Sequence, residues 1–300
     1  MAAKRGGSGR RLQLGLQLRK LRENCENSER GCGLTRKQAV HGLKISEATL
    51  QRIETGALNF RNVGDLRKLL EKYGIDDDPD FVESLVELNR DASGQDWLTQ
   101  FRPFMPSGMP NFVGVETEAH AIRAYHPTVV YGLLQTENYA KALMELGKPV
   151  EETTSESIVR NVELRMERRA IIHRDPDPVR LWVILAEAAL LYQVGDTEVM
   201  SEQYEEIVKL SALTHVKVQV LPVRSRGGYR SASDFTILDL GERLPPMVQI
   251  DTPWGAVSTS DKPREVGRFN RRFETMTASA LPPEDTAEIM QKLSRELTSH

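Results

Sequence analysis

Cysteine is scarce in this chain, with only Cys25 and Cys32 among 300 residues. That excludes a scaffold built on disulfides and predicts a reducing, cytoplasmic setting. The two lie in a polar segment, CENSERGCG (25–33), without a Cys-x-x-Cys pair or clustered histidines, so no zinc site is expected and the thiols read as indifferent. A disulfide between them stays open on spacing alone. Long apolar runs are missing as well: none approaches the ~20 residues needed to span a bilayer. The basic start, MAAKRGGSGRR, is not followed by the apolar stretch of a secretion signal. A membrane partner is therefore not expected. Internal repeats and low-complexity tracts are also absent.

Catalytic patterns are lacking too. His173, Arg174 and Asp175 spell the tripeptide of a kinase catalytic loop, but no glycine-rich loop or Asp-Phe-Gly accompanies it. GDTEV and GGY do not have phosphate-loop spacing, the six histidines lie far apart, and no serine is framed as Gly-x-Ser-x-Gly. Glu116, Glu118 and Glu187 would need folding to gather them; as isolated charges they read as surface or ion-pair residues. No enzyme activity, cofactor or metal is expected.

What is present is concentrated in residues 34–56, LTRKQAVHGLKISEATLQRIETG. The spacing is that of two short helices held at a tight angle. Leu34, Ala39, Leu43, Leu50 and Ile53 form the apolar set between them, and Ala39 is small where the helices approach. Ser46 is an N-cap, whose hydroxyl accepts from the orphan N–H groups of the following turn. Gly56 closes the second helix, where a left-handed residue costs least. Such a helix-turn-helix places the start of its second helix against base edges in the major groove. Arg52 is the candidate for guanine, because its planar fork matches O6 and N7; the alternative is a surface ion pair. Glu47 could accept from a cytosine amine or simply serve the helix dipole. Ser46, Ala48 and Thr49 share the outward face, and Thr49 suits a thymine methyl or a phosphate. Arg36, at the start of the first helix of the pair, is expected on a phosphate, with Lys37, Lys44 and Arg61 as weaker phosphate contacts.

The charge is lopsided in a way that fits. Residues 1–75 carry a net +9 and residues 76–300 a net −12, so one end is suited to a polyanion. Leu12, Leu14, Leu16, Leu18 and Leu21 mark a first helix with Arg19, Lys20 and Arg22 facing outward. Val63, Leu66, Leu69, Leu70 and Tyr73 mark another after the recognition helix. Asp76–Asp80, with Pro79, starts a helix striped by Phe81, Leu85 and Leu88. A Pro/Gly-rich connection, 91–112, carries the anchors Trp97, Phe101 and Phe104. Beyond it, helices are expected at 114–126, 136–147, 153–172, 197–213, 262–280 and 283–297. Strands are expected at 179–185, 216–223, 234–240 and 247–252, with an edge strand at 256–260. The fold class is thus α+β: a flexible basic arm (1–11), an all-α helix-turn-helix domain (12–75), a helix and linker (76–112), and a mixed α/β domain (113–300) with a small, mainly antiparallel sheet.

Residues 12–75 resemble phage-repressor-like helix-turn-helix regulators of the xenobiotic-response-element type, through LGLQLRKLRE (14–23), LTRKQAV, SEATLQRIETG and DLRKLLEKYGI (65–75). AIRAYHPTVVYGLLQTENYA (121–140), VELRMERR (162–169), VKVQVLPV (216–223) and DFTILDL (234–240) are similar to the uncharacterised C-terminal domain of WhiJ-type actinobacterial regulators. The resemblance implies a DNA-binding transcriptional regulator, often associated with a small partner protein. Two departures stand out. The loop at 24–33 is longer than usual, and ALNFR follows Gly56 where relatives carry several arginines and a proline.

The expected partners are therefore double-stranded DNA, a second copy of the chain, and a small-molecule effector or small partner protein. A homodimer follows because one helix-turn-helix reads only a few base pairs. The alternative is an antitoxin-like member of a two-protein pair whose C-terminal domain is a protein-binding module. Both place the chain in the cytoplasm, on the nucleoid.

Overall fold

The computed structural model describes residues 7–27, 31–75, 77–92, 97–224, 229–241, 244–252 and 255–297. The first helix, α1 (Gly7–Asn24), leads through a two-stranded hairpin, β1 (Glu26–Asn27) and β2 (Gly31–Cys32), into α2 (Arg36–Val40), α3 (Glu47–Glu54), α4 (Val63–Lys72) and α5 (Pro79–Asp91). Local chemistry accounts for the boundaries. Thr35 caps α2 and exchanges hydrogen bonds with Gln38 in a capping box. Ser46 caps α3, Asn62 caps α4, and Asp78 caps α5 with Pro79 in its first turn. Gly56 follows α3 with φ of 74°, the left-handed geometry that favours glycine. A Cβ there would also lie 2.7 Å from Cα of Leu12, so α1 needs this glycine's bare surface.

Two expectations about α1 are corrected. Helix begins at Gly7, inside the stretch expected to be a flexible arm, while residues 1–6 lie outside the described residues. Arg22 points inward and is buried. Arg19 pairs with Asp261 of the C-terminal domain. The cause lies in the leucine spacing. Leu14 and Leu18 pack into the helix-turn-helix core with Leu50, Ile53, Leu66 and Leu70, whereas Leu12 and Leu16 pack into the C-terminal core with Phe112, Val113 and Leu240. Leucines two apart on a helix lie on opposite sides, so both faces of α1 are buried.

After α5 the chain passes two short 3₁₀ turns, where Leu98 and Phe101 are buried in the C-terminal core and Trp97 packs against it. Phe104 is half-buried beside them. Then follow α6 (Met109–Glu118), β3 (Ala121–His126), α7 (Glu137–Glu151), α8 (Ser155–Arg169), β4 (Arg180–Ala186), α9 (Glu187–Leu191), α10 (Thr197–Ser211), β5 (Val216–Leu221), β6 (Phe235–Asp239), β7 (Met247–Asp251), β8 (Val257–Ser260), α11 (Pro263–Thr277) and α12 (Thr286–Leu297).

The sheet corrects the expected small antiparallel one. It has six strands in the order β5-β4-β3-β6-β7-β8. The β5-β4-β3 half is parallel, and β3-β6-β7-β8 is antiparallel. The central strand, Ala121–His126, falls within the helix expected over 114–126: α6 stops at Glu118 and the chain turns directly into β3. Pairing on both edges makes this segment a strand, and that pairing is non-local. Parallel strands need crossover connections, supplied by α7 and α8 between β3 and β4 and by α10 between β4 and β5.

One sheet face, including Ile122, Leu181, Val183 and Val218, is covered by α6, α8, α10 and α12. On the other, Tyr125, Ile184, Phe235 and Val248 meet Val266, Phe273 and Met276 of α11. Among the described residues no helix is long and apolar enough to cross a membrane.

Candidate nucleic-acid interface and C-terminal cleft

The helix pair is held from behind. Glu54, the last residue of α3, is buried and binds two arginines. Its Oε1 accepts from Arg22 Nε at 2.5 Å, and its Oε2 accepts from Arg22 Nη2 at 3.1 Å and from Arg36 Nε at 2.7 Å. Arg22 Nη1 donates onward to the Leu34 carbonyl at 2.8 Å. One carboxylate therefore ties α1, the start of α2 and the end of α3 together. Lys72 of α4 reaches the carbonyls of Ala39 and His41 at the end of α2, where a cation also suits the dipole. Beyond α3, Asn89 of α5 clamps Phe60 at both its N–H (2.9 Å) and its carbonyl (3.0 Å), so the ALNFR flank is pinned by protein.

Most of the expected contact positions lie on the outward face. Lys37, Lys44, Ser46, Glu47, Ala48, Arg52 and Arg61 are exposed, and Thr49 is half-buried. The Ser46 hydroxyl accepts from Thr49 N–H at 3.1 Å, and the two hydroxyls share a 2.9 Å hydrogen bond. Among the described residues no carboxylate pairs with Arg52, the alternative considered for it. Arg36 is half-buried, and its Nε is committed to Glu54 rather than presented outward. Sequence spacing does not single out Glu54 and Arg22, because their burial depends on three helices meeting. A weak signal exists in Glu54 itself, an acidic residue at the C-terminal end of a helix, which the dipole disfavours.

Of the two cysteines, Cys25 is a buried free thiol that donates to the Arg22 carbonyl. In the kinase-like tripeptide, Arg174 is structural. It is buried and donates to the carbonyls of Thr117, Ala119 and Asp177, holding the turn between α6 and β3. Glu116, Glu118 and Glu187 are not gathered. Glu118 lies by Arg10, and Glu187 accepts from Val223 N–H.

Glu116 belongs to a second constellation that the sequence pattern does not reveal. A cleft of about 240 Å³ opens at one end of the sheet, at the carboxyl ends of β3 and β7, beside α8. Here the strand order reverses about β3, with β4 and β5 on one side and β6, β7 and β8 on the other, and in open α/β sheets ligands bind outside the carboxyl ends of strands at such a switch point. Its polar lining comes from His126, Gln135, Arg165, Arg168, Asp234 and Asp251, with Thr236 and Gln249 between them.

Arg168 forms a bidentate pair with buried Glu116 (2.6 and 2.9 Å), stacks over Phe112, and shares Glu116 with the Tyr131 hydroxyl. Arg165 donates to Gln135 and has no carboxylate partner among the described residues. Burial, then repulsion from Arg168, pushes its pKa down to about 10. Burial, then Asp251, pushes Asp234 up to about 6. Burial raises Asp251 as well, against the opposing pull of the arginines. His126 is driven down to about 3 by burial and by the same arginines, so it is a neutral imidazole. Its Nε2 has no hydrogen-bond partner among the described residues. The segments that carried the family resemblance converge here: Gln135 from GLLQTENYA, Arg165 and Arg168 from VELRMERR, Asp234 and Thr236 from DFTILDL.

A capped, outward-facing second helix, tied to α1 and α2 through buried Glu54, defines a helix-turn-helix DNA-binding regulator. Comparison with protein families agrees: a helix-turn-helix domain matches residues 13–80, and a domain of unknown function, DUF5753, matches residues 109–292. The chain belongs to the DUF5753 family. No curated protein and no solved structure matches it.

Proposed function

We propose that the protein is a xenobiotic-response-element-type transcriptional regulator. It binds inverted-repeat operators as a homodimer in the cytoplasm, on the nucleoid, and it carries out no reaction. In this assignment Arg52 reads a guanine, Glu47, Ala48 and Thr49 face neighbouring bases, and Lys37, Lys44 and Arg61 hold phosphates. Arg36 keeps a lesser phosphate role, since its main bond goes to Glu54. The observation that carries it is the exposed Arg52, unpaired among the described residues, on a helix fixed from behind by a buried carboxylate. The C-terminal domain serves as the effector domain, with the cleft at the sheet's switch point as the effector site.

Genome-wide binding of the tagged protein tests this. Bound sites sharing an inverted repeat, with half-sites one helical turn apart or a multiple of it, are the expected outcome. Random coverage, or no enrichment, overturns it.

One observation supports the alternative, a C-terminal domain that docks a small partner protein. Leu146 and Val150 of α7 and Val159 of α8 are 52%, 80% and 54% exposed, which is high for large apolar side chains. Co-purification of a stoichiometric small protein that is lost on Val150→Asp would establish that mode.

A further inference from the structure

The cleft in the C-terminal domain is built with two unreconciled poles. On the α8 wall, Arg165 bonds the neutral Gln135 amide, because Glu116 is fully engaged by Arg168. At the strand ends, Asp251 accepts from Gln249 at 2.7 Å, and among the described residues no cation pairs with Asp234. All three side chains line one cavity, yet neither arginine closes on either aspartate. Arg165 and Asp234 are half-buried and Asp251 stands at the exposed rim, so charges partly withdrawn from water face one another across the cavity without a close partner. The buried Nε2 of His126, without a partner among the described residues, adds an unsatisfied polar atom to the same space.

A purely anionic ligand would satisfy Arg165 but meet two aspartates. A purely cationic one would satisfy the aspartates but meet two arginines. A molecule carrying both charges satisfies both poles. The volume, about 240 Å³, corresponds to roughly eight waters at ~30 Å³ each, which fits a molecule of about ten heavy atoms. Met109, Phe112, Val130 and Leu143 supply an apolar side to receive its carbon skeleton.

We propose that the cleft binds a free amino acid of that size, its carboxylate on Arg165 and its ammonium between Asp234 and Asp251. This rests on the assignment of the cleft as the effector site. It also supplies a route to DNA. The Arg168–Glu116 pair anchors α6 from the cleft side. Two residues earlier on the same helix, Gly114 receives α1: a Cβ on Gly9 would stand 2.3 Å from the Gly114 carbonyl oxygen. A ligand that repositions Arg168 thus acts on the helix against which α1, and with it the recognition helix, is packed.

The test uses the full-length protein and the twenty common free amino acids, each beside its decarboxylated amine and its deaminated acid, read by thermal shift and by anisotropy of the bound operator. At least one amino acid should raise Tm by several degrees and bind more than tenfold tighter than its amine or acid. Asp251→Asn at the open rim and Arg165→Gln should each weaken that binding tenfold or more while keeping the ligand-free circular dichroism. Failure of all twenty, equal binding by the amine or the acid, or binding that survives both substitutions overturns the proposal. An amino acid that binds as expected but leaves operator affinity unchanged keeps it and refutes the effector-site assignment. A singly charged metabolite that shifts operator affinity through this cleft does the reverse.

Discussion

Leu12 and Leu14 stand two positions apart on α1 and are buried in different hydrophobic cores, Leu12 with the C-terminal domain and Leu14 with the helix-turn-helix. The DNA-binding unit is therefore joined to the rest of the chain through a shared helix, in addition to the covalent link through residues 91–112. Arg19–Asp261 and Arg10–Asp91 brace the same helix from its polar positions. Four experiments follow from this arrangement and from the two sites it connects.

Gly9→Ala places a methyl group against the Gly114 backbone, where 2.3 Å leaves no room. α1 and α6 must separate, at a cost of about 1–3 kcal/mol. Chemical denaturation should show the loss. Operator affinity should fall too, although Gly9 is remote from the recognition helix.

Glu54→Ala leaves buried Arg22 with only the exposed Glu23 as a carboxylate partner, and breaking a buried pair typically costs about 3–5 kcal/mol. A large drop in Tm is expected. Arg36→Ala, which removes the more exposed member, should cost far less. Equal effects of the two would show that Glu54 is not the hub of the helix pair.

Arg52→Ala should abolish specific operator binding in a gel-shift titration with Tm nearly unchanged, because the side chain is exposed and unpaired among the described residues. Lys37→Ala should instead weaken binding to all sequences alike and lower the salt dependence by about one ion.

Asp234 gives a pH signature. Burial, then Asp251, pushes its carboxyl up to about 6. A carboxyl that holds its proton more firmly in the folded state favours folding at low pH. That contribution is lost as pH rises from the ordinary carboxylate range through about 6. Asp234→Asn should therefore raise Tm at pH 8, with the gain shrinking below about pH 5; Asp251, raised in the same direction, leaves a residual slope in the variant. A gain independent of pH would mean that Asp234 is not desolvated in the ligand-free protein.

The helix-turn-helix is legible residue by residue, because its determinants are local. Ser46 bonds to Thr49 within one turn, Gly56 supplies a positive φ, and Leu50 and Ile53 lie on one helix face. The same local patterns place α5 at Pro79, the strands at 216–221, 235–239, 247–251 and 257–260, and the two final amphipathic helices. Position on a single helix is a poorer guide to where a charged side chain ends up. Arg22 belongs outside only if α1 has one buried face, and it has two. Arg36 reads as wholly free for a phosphate only until Glu54, eighteen residues away, takes up its Nε.

By itself, the sequence determined the recognition helix, its caps, and a basic head on an acidic body, all of which depend on neighbours within a few residues or on composition. Tertiary structure alone decided that residues 121–126 are the centre of a mixed sheet, since a strand exists only through partners far along the chain. It also decided that Glu54 gathers two arginines and that Arg165, Asp234 and Asp251 line one cleft. Charges are read one at a time along a chain, but their chemistry depends on which of them folding brings together and which it leaves facing one cleft unpaired.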